Sequence, residues 1–164
     1  MPSQLSDHAF DKGLRAVSRG DYLEGLAYFE ASIDLSQKSG ETPAVRSLSY
    51  YGLCLAMASR RVREALDICE RAVAAEFYNP ELYLNLGRVY LRCGDRRSAF
   101  GAFVQGLRLN HRHGGIIAQI RRLGFRRRPV VGFLRRGHPL NRLLGRVRSS
   151  LERDASRGRA IAAA

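Results

Sequence analysis

The chain has 164 residues, 45% of them hydrophobic and none of them Trp, enough for one folded unit that buries about 70% of its unfolded surface. That apolar content excludes wholesale disorder, and no apolar run approaches the roughly 20 residues of a membrane span. The formal charge of +13 is unevenly placed: residues 114–164 carry 13 Arg against two acidic side chains, whereas 15 basic and 13 acidic residues nearly cancel over 1–113.

The opening MPSQLSDHAFDKG has neither a basic n-region nor an apolar h-region, so no secretory signal is expected and a cytoplasmic location is. Ala9, Gly13, Ala16 and Val17 then recur at helical spacing, Gly20-Asp21 interrupts them, and Leu26, Phe29 and Ile33 mark a second helix. Gly accepts the left-handed backbone that closes a helix, and the following Asp caps the next one. Residues 36–44 are polar, contain Gly40 and Pro43, and read as a connecting loop.

Leu48, Tyr51, Gly52, Leu55 and Ala56 mark a third helix, and Ala65, Cys69, Ala72 and Val73 a fourth. Between them Ser59-Arg60-Arg61-Val62 replaces Gly-Asp, and Gly52 to Ala65 is one position longer than Gly87 to Ala99, so this turn carries an inserted residue. The pattern is clearest over 79–110, where Tyr83, Leu86, Gly87 and Tyr90 precede Gly94-Asp95, and Ala99, Phe103 and Gly106 follow it. Gly114-Gly115 is expected to end the sixth helix. Ile116 to Gly124 reads as one more short helix with Ile116, Ile117, Ile120 and Leu123 inward.

Beyond it, Pro129 and Gly132 argue against continued helix and Pro139 favours a new start. Leu140, Leu143, Leu144, Val147 and Leu151 then fall on one stripe, the pattern of a basic amphipathic helix at about 139–153, followed by a frayed end.

Three hairpins, each with Gly in its first helix, Ala or Gly early in its second and a bulky residue or Cys four positions later, resemble the tetratricopeptide repeat. The units fall at 6–39, 45–79 and 80–113, with a capping helix at 114–124 and an Arg-rich extension at 125–164. The resemblance implies an all-α fold, an α-solenoid of stacked helix-turn-helix hairpins. The residue choices make physical sense on their own. Gly87 and Ala99 let two helices approach, and Tyr90 and Phe103 fill the wedge between hairpins.

Catalytic constellations are not apparent. Cys54, Cys69 and Cys93 form no CxxC pair and are expected to be reduced and buried. His111 and His113 form an HxH pair with no Cys or carboxylate cluster beside it in sequence, the pattern of a solvated helix end more than of a metal site. Gly114-Gly115 lacks the Lys-Ser/Thr of a phosphate loop. No enzyme activity, cofactor, metal or small-molecule substrate is expected. Arg usage, with Lys only at 12 and 38, is that of a GC-rich bacterial genome.

Two surfaces remain. The resemblance implies that the first helices line a concave groove, which by register would hold Phe10, Leu14, Val17, Leu53, Met57, Leu84 and Leu91, with Arg88 and Arg92 at one end. Such a groove takes a segment of a partner protein, apolar anchors giving affinity and charges giving orientation. The second surface is the tail, with Arg126, Arg127, Arg128, Arg135, Arg136, Arg142, Arg146 and Arg148. Its candidate ligands are an acidic protein segment, an anionic membrane or, ranked lower because only Phe125 and Phe133 interleave the charges, nucleic acid. The leading expectation is a non-enzymatic protein-binding adaptor. The alternative is a peripheral membrane or nucleic-acid binder whose repeats are a scaffold for the tail.

Overall fold

Two of the three hairpin turns in this chain are set where glycine and aspartate stand together. The computed structural model describes residues 2–123, with side chains from Gln4 onward, as seven helices: α1 (Pro2–Arg19), α2 (Tyr22–Lys38), α3 (Val45–Ala58), α4 (Val62–Ala75), α5 (Pro80–Arg92), α6 (Arg96–Leu109) and α7 (Gly114–Leu123). Gly20 and Gly94 adopt φ of 84° and 81°. Beside each, the backbone closes the helix in the same way, Asp21 N–H reaching Ala16 O and Asp95 N–H reaching Tyr90 O, both at 3.0 Å. The two aspartates then cap α2 and α6, Asp21 accepting from Glu24 N–H at 2.9 Å and Asp95 from Ser98 N–H at 2.9 Å. The irregular middle turn uses a hydroxyl instead. Ser59 is extended, its Oγ donates to Leu55 O at 2.7 Å and accepts from Arg61 N–H at 3.1 Å.

The helices pair as α1/α2, α3/α4 and α5/α6, each packs on its chain neighbours, and α3 also packs on α5. One contact repeats in all three hairpins. A methyl group placed on Gly13, Gly52 or Gly87 would meet Phe29, Cys69 or Phe103 respectively, so each glycine is the seat of the residue that fills its hairpin. Phe29, Cys69 and Phe103 are fully buried. A first apolar cluster centres on Phe29, Tyr50, Leu53, Cys54, Leu55 and Cys69; a second joins Ala99 and Phe103 to Ile116 of α7. These are the stacked hairpins expected from the sequence, closed by a seventh helix.

Three features differ from expectation. Cys93 is exposed, because it is the residue that ends α5 at the turn; Cys54 and Cys69 are buried. Gly114-Gly115 does not end α6, which stops at Leu109 with Asn110 extended; it begins α7. The core also contains a polar seam. Ser6 Oγ lies 2.9 Å from Ser36 Oγ and 3.1 Å from Ser32 Oγ, Ser32 Oγ lies 3.3 Å from Ser47 Oγ, and Asn85 donates to Ser49 Oγ at 3.2 Å. The hydroxyls serve one another where α1, α2 and α3 meet, which is how buried polar groups avoid the cost of leaving water. Asn85 Oδ1 is buried without a hydrogen-bond partner.

No helix among the described residues is long and apolar enough to cross a membrane. The arginines of the extension (Arg126, Arg127, Arg128, Arg135, Arg136, Arg142, Arg146 and Arg148) and the helix expected at about 139–153 lie outside the described residues.

Candidate partner-binding groove

Helical spacing puts Leu84 and Arg88, four residues apart, on one face of α5. That face opens into a cleft of about 450 Å3. Val17, Ser18, Arg19 and Gly20 at the end of α1 and Tyr22 at the start of α2 form one wall; Gly115, Ala118, Gln119 and Arg122 of α7 form another. Gly115 admits the Leu84 side chain against α7, since a side-chain carbon there would lie 2.8 Å from Leu84 Cδ2.

Arg88 is half-buried and pre-oriented. Its Nη2 donates to the Tyr22 hydroxyl at 2.6 Å, and its guanidinium carbon lies 5.6 Å from the Tyr22 ring centroid, so a residue of α2 and a residue of α5 hold each other across the mouth of the cleft. Arg19 is engaged by Glu24 at 2.5 Å. Arg88 and Arg122 have no carboxylate partner among the described residues. The cleft therefore combines two apolar side chains, Val17 and Leu84, with two uncompensated cations. It has the chemistry to seat an apolar anchor next to an acidic or hydrogen-bond-accepting group.

Of the residues expected in the groove, the structure brings Val17, Leu84 and Arg88 together. Leu53 is a correction: it is fully buried within the first apolar cluster and offers a ligand no surface. Phe10, Leu14 and Met57 are half-buried against the same first cluster. The Phe10 ring meets Phe29 and Tyr50 edge-on at 5.6 and 5.9 Å, and the Arg46 guanidinium lies 5.0 Å from its centroid. Leu91 packs on the second cluster with Ile120 and Leu123, and Arg92 is exposed outside the cleft lining.

Arg46, Tyr50 and Glu81, elsewhere on α3 and α5, engage one another. Arg46 pairs with Glu81 at 2.9 Å, and the Tyr50 hydroxyl donates to the same carboxylate. Burial, then that hydrogen bond, pushes the Tyr50 phenol above its ordinary range. His113 accepts from Ile116 N–H at 3.3 Å and so caps α7, while His111 is exposed in the preceding loop. Among the described residues no group of three or more His, Cys, Asp or Glu is placed to hold a metal ion.

Sequence reasoning missed Tyr22 and the four residues of α7. Repeat register assigns grooves to first helices, whereas Tyr22 begins a second helix and α7 reads as a cap. The available signal was composition: Gly115, Ala118 and Gln119 are too small or too polar for a helix face whose sole task is to seal a core.

No protein-family model matches the chain, and no curated protein matches it in sequence. Solved structures match it in fold. The TPR domain of Arabidopsis OM64 superposes with a TM-score of 0.57 at 15% identity, over 75% of this chain and 97% of that one. The first TPR domain of human RPAP3 gives 0.58 at 14% identity, over 74% and 91%. YrrB, described as a TPR protein with an unusual peptide-binding site, gives 0.54 at 16% identity, over 71% of this chain and 57% of YrrB. The fold of the described residues is that of tetratricopeptide repeats, three hairpins and a closing helix.

Proposed function

We propose that this protein is a non-enzymatic adaptor that holds a segment of a partner protein in the groove formed by the α1–α2 corner, α5 and α7. The observation that carries the reading is the cleft in which Val17 and Leu84 lie beside the unpaired Arg88 and Arg122. The apolar pair gives a guest residue somewhere to leave water, worth about 1.5–3 kcal/mol for a fully buried Leu or Phe. The arginines orient whatever flanks it. Nucleic acid is disfavoured there because Tyr22, the one aromatic lining the cleft, already has its ring against Arg88, so no free ring remains for a base to stack on. A peptide-binding structural neighbour, YrrB, is consistent with this use of the fold.

Selection from a random peptide library on the full-length protein tests the proposal. Selected peptides are expected to lose binding to Leu84→Glu and Arg88→Glu variants and to keep it at raised salt in proportion to their apolar content. Peptides indifferent to both substitutions would refute it.

A second reading rests on the 13 Arg of residues 114–164. There the Arg-rich segment binds an anionic membrane or nucleic acid, and the repeats support it. In that case binding to anionic vesicles or an oligonucleotide falls steeply with salt and ignores Leu84→Glu.

A further inference from the structure

A second groove shares no residue with the cleft above. Its walls follow the spacing i, i+3, i+4, i+7 on two helices, running from Glu30 to Gln37 on α2 and from Ile68 to Ala75 on α4. Its floor is Val45, Leu48 and Tyr51 of α3, and it encloses about 510 Å3. Each wall is two turns long, about 10 Å of helix.

The lining selects its guest by backbone and by charge. All three elements are helices, whose main-chain groups are spent on their own hydrogen bonds, so an extended guest would find no edge to pair with and would bury unsatisfied N–H and C=O groups. A helical guest brings its backbone already satisfied and fits the ridges that the two walls present. The floor is apolar and half-buried. The α2 wall carries Glu30 and Asp34, one turn apart, and neither has a hydrogen-bond or ion-pair partner among the described residues. On the opposing wall Arg71 is engaged by Asp67 at 2.9 Å. The Tyr51 phenol is raised above its ordinary value by burial and then by the Glu30 charge, against an opposing pull from Arg61. Such a groove repels polyanions and lipid phosphates.

We propose that the α2–α4 groove is a second docking site, and that it receives an amphipathic helix of a partner protein with Leu or Ile on one face and Arg or Lys along the edge that meets Glu30 and Asp34. It operates independently of the concave cleft, whose free charges are of the opposite sign. The protein thereby has two docking sites that choose partners of complementary charge.

The probe is a fluorescent helical peptide of about four turns, with Leu at i, i+3, i+4 and i+7 and Arg flanking the stripe. Its binding to the full-length protein is measured by anisotropy. Saturable binding is expected, with a gain of peptide helicity. The same composition scrambled to break the stripe, and the same stripe with Glu for Arg, are expected to bind at least about tenfold more weakly. Glu30→Lys with Asp34→Lys weakens binding about tenfold, and Ala75→Arg, which fills the groove from an exposed position, removes it. Asp11→Lys, an exposed carboxylate on α1 outside the groove, leaves it unchanged. The substituted positions are exposed, and thermal melts of each variant check that the fold persists. Failure of the striped peptide to bind, equal binding of the scrambled peptide, or unchanged affinity in the Glu30/Asp34 variant would overturn the proposal.

Discussion

Gly87→Ala sets two effects of opposite sign against each other. An alanine in the middle of α5 is favoured over glycine by about 0.5–1 kcal/mol, because it removes backbone freedom from the unfolded chain. Its methyl group, however, would lie inside contact distance of three atoms of the Phe103 ring. Phe103 is fully buried and packs with Ala99 and Ile116, so the ring has nowhere to withdraw without moving α7. Overpacking of this kind costs about 1–3 kcal/mol, and a rigid, enclosed ring belongs at the upper end. The net expectation is a loss of about 2 kcal/mol, a fall in Tm of roughly 6–10 °C for a unit of this size. Gly101→Ala is the matched control, because Gly101 is mid-helix in α6 with nothing within 4 Å of an added carbon. It should raise Tm by a few degrees through propensity alone. Adding Phe103→Leu to Gly87→Ala should cost less than the two changes separately, with about 1 kcal/mol of coupling, since the shorter side chain vacates the space the methyl takes. Thermal melts of the four variants decide the matter. A Gly87→Ala protein that gains as much as Gly101→Ala would refute the packing described for the third hairpin.

The thiols should separate by burial. Cys54 and Cys69 are buried and pushed up to about 12 by desolvation, so a thiol reagent at neutral pH should modify the native protein once, at Cys93, and Cys93→Ser should abolish the fast phase. Asp95→Ala should lower Tm at neutral pH by uncapping α6. Hydrogen bonds from Ser98 hold the Asp95 carboxyl below its usual 3.8, so its contribution is full above that value and is lost as pH falls through the depressed one. The Tm difference between Asp95→Ala and the native protein should therefore shrink in acid, and a difference constant from pH 7 to about pH 2 would contradict the cap. Asn85→Leu should cost about 1–3 kcal/mol, because it takes away the hydrogen bond that Asn85 donates to the buried Ser49 Oγ and puts a larger side chain at a fully buried position, which outweighs removing an unpartnered carbonyl oxygen. A variant as stable as the native protein in urea melts would show that the Asn85–Ser49 hydrogen bond contributes nothing to the fold.

The fold was legible because its constraints are local. Gly20 and Gly94 must take positive φ, Asp21 and Asp95 must cap, and Gly13, Gly52 and Gly87 must admit one bulky neighbour each, so each requirement leaves a mark within a few residues of sequence. The groove was less legible because exposure depends on what lies on either side. Register placed Leu53 on the same face as Met57, yet Leu53 is completely buried in the first apolar cluster and Met57 is half-exposed. The role of α7 was hidden for the same reason, since only the packed structure shows that Gly115 faces Leu84 and that the helix forms a wall of the cleft. The serine seam left no periodic signal at all. Ser6, Ser32, Ser36 and Ser47 come from three helices, and their mutual satisfaction is a property of the packing alone.

Hydrogen exchange of the full-length protein, with and without a peptide selected from a random library, tests the central claim most directly. The account predicts slowed exchange in the C-terminal half of α1, in α5 and in α7, which together form the cleft, and loss of that protection in Leu84→Glu. Failure to select any peptide, or protection confined to helices that do not line the cleft, would contradict it.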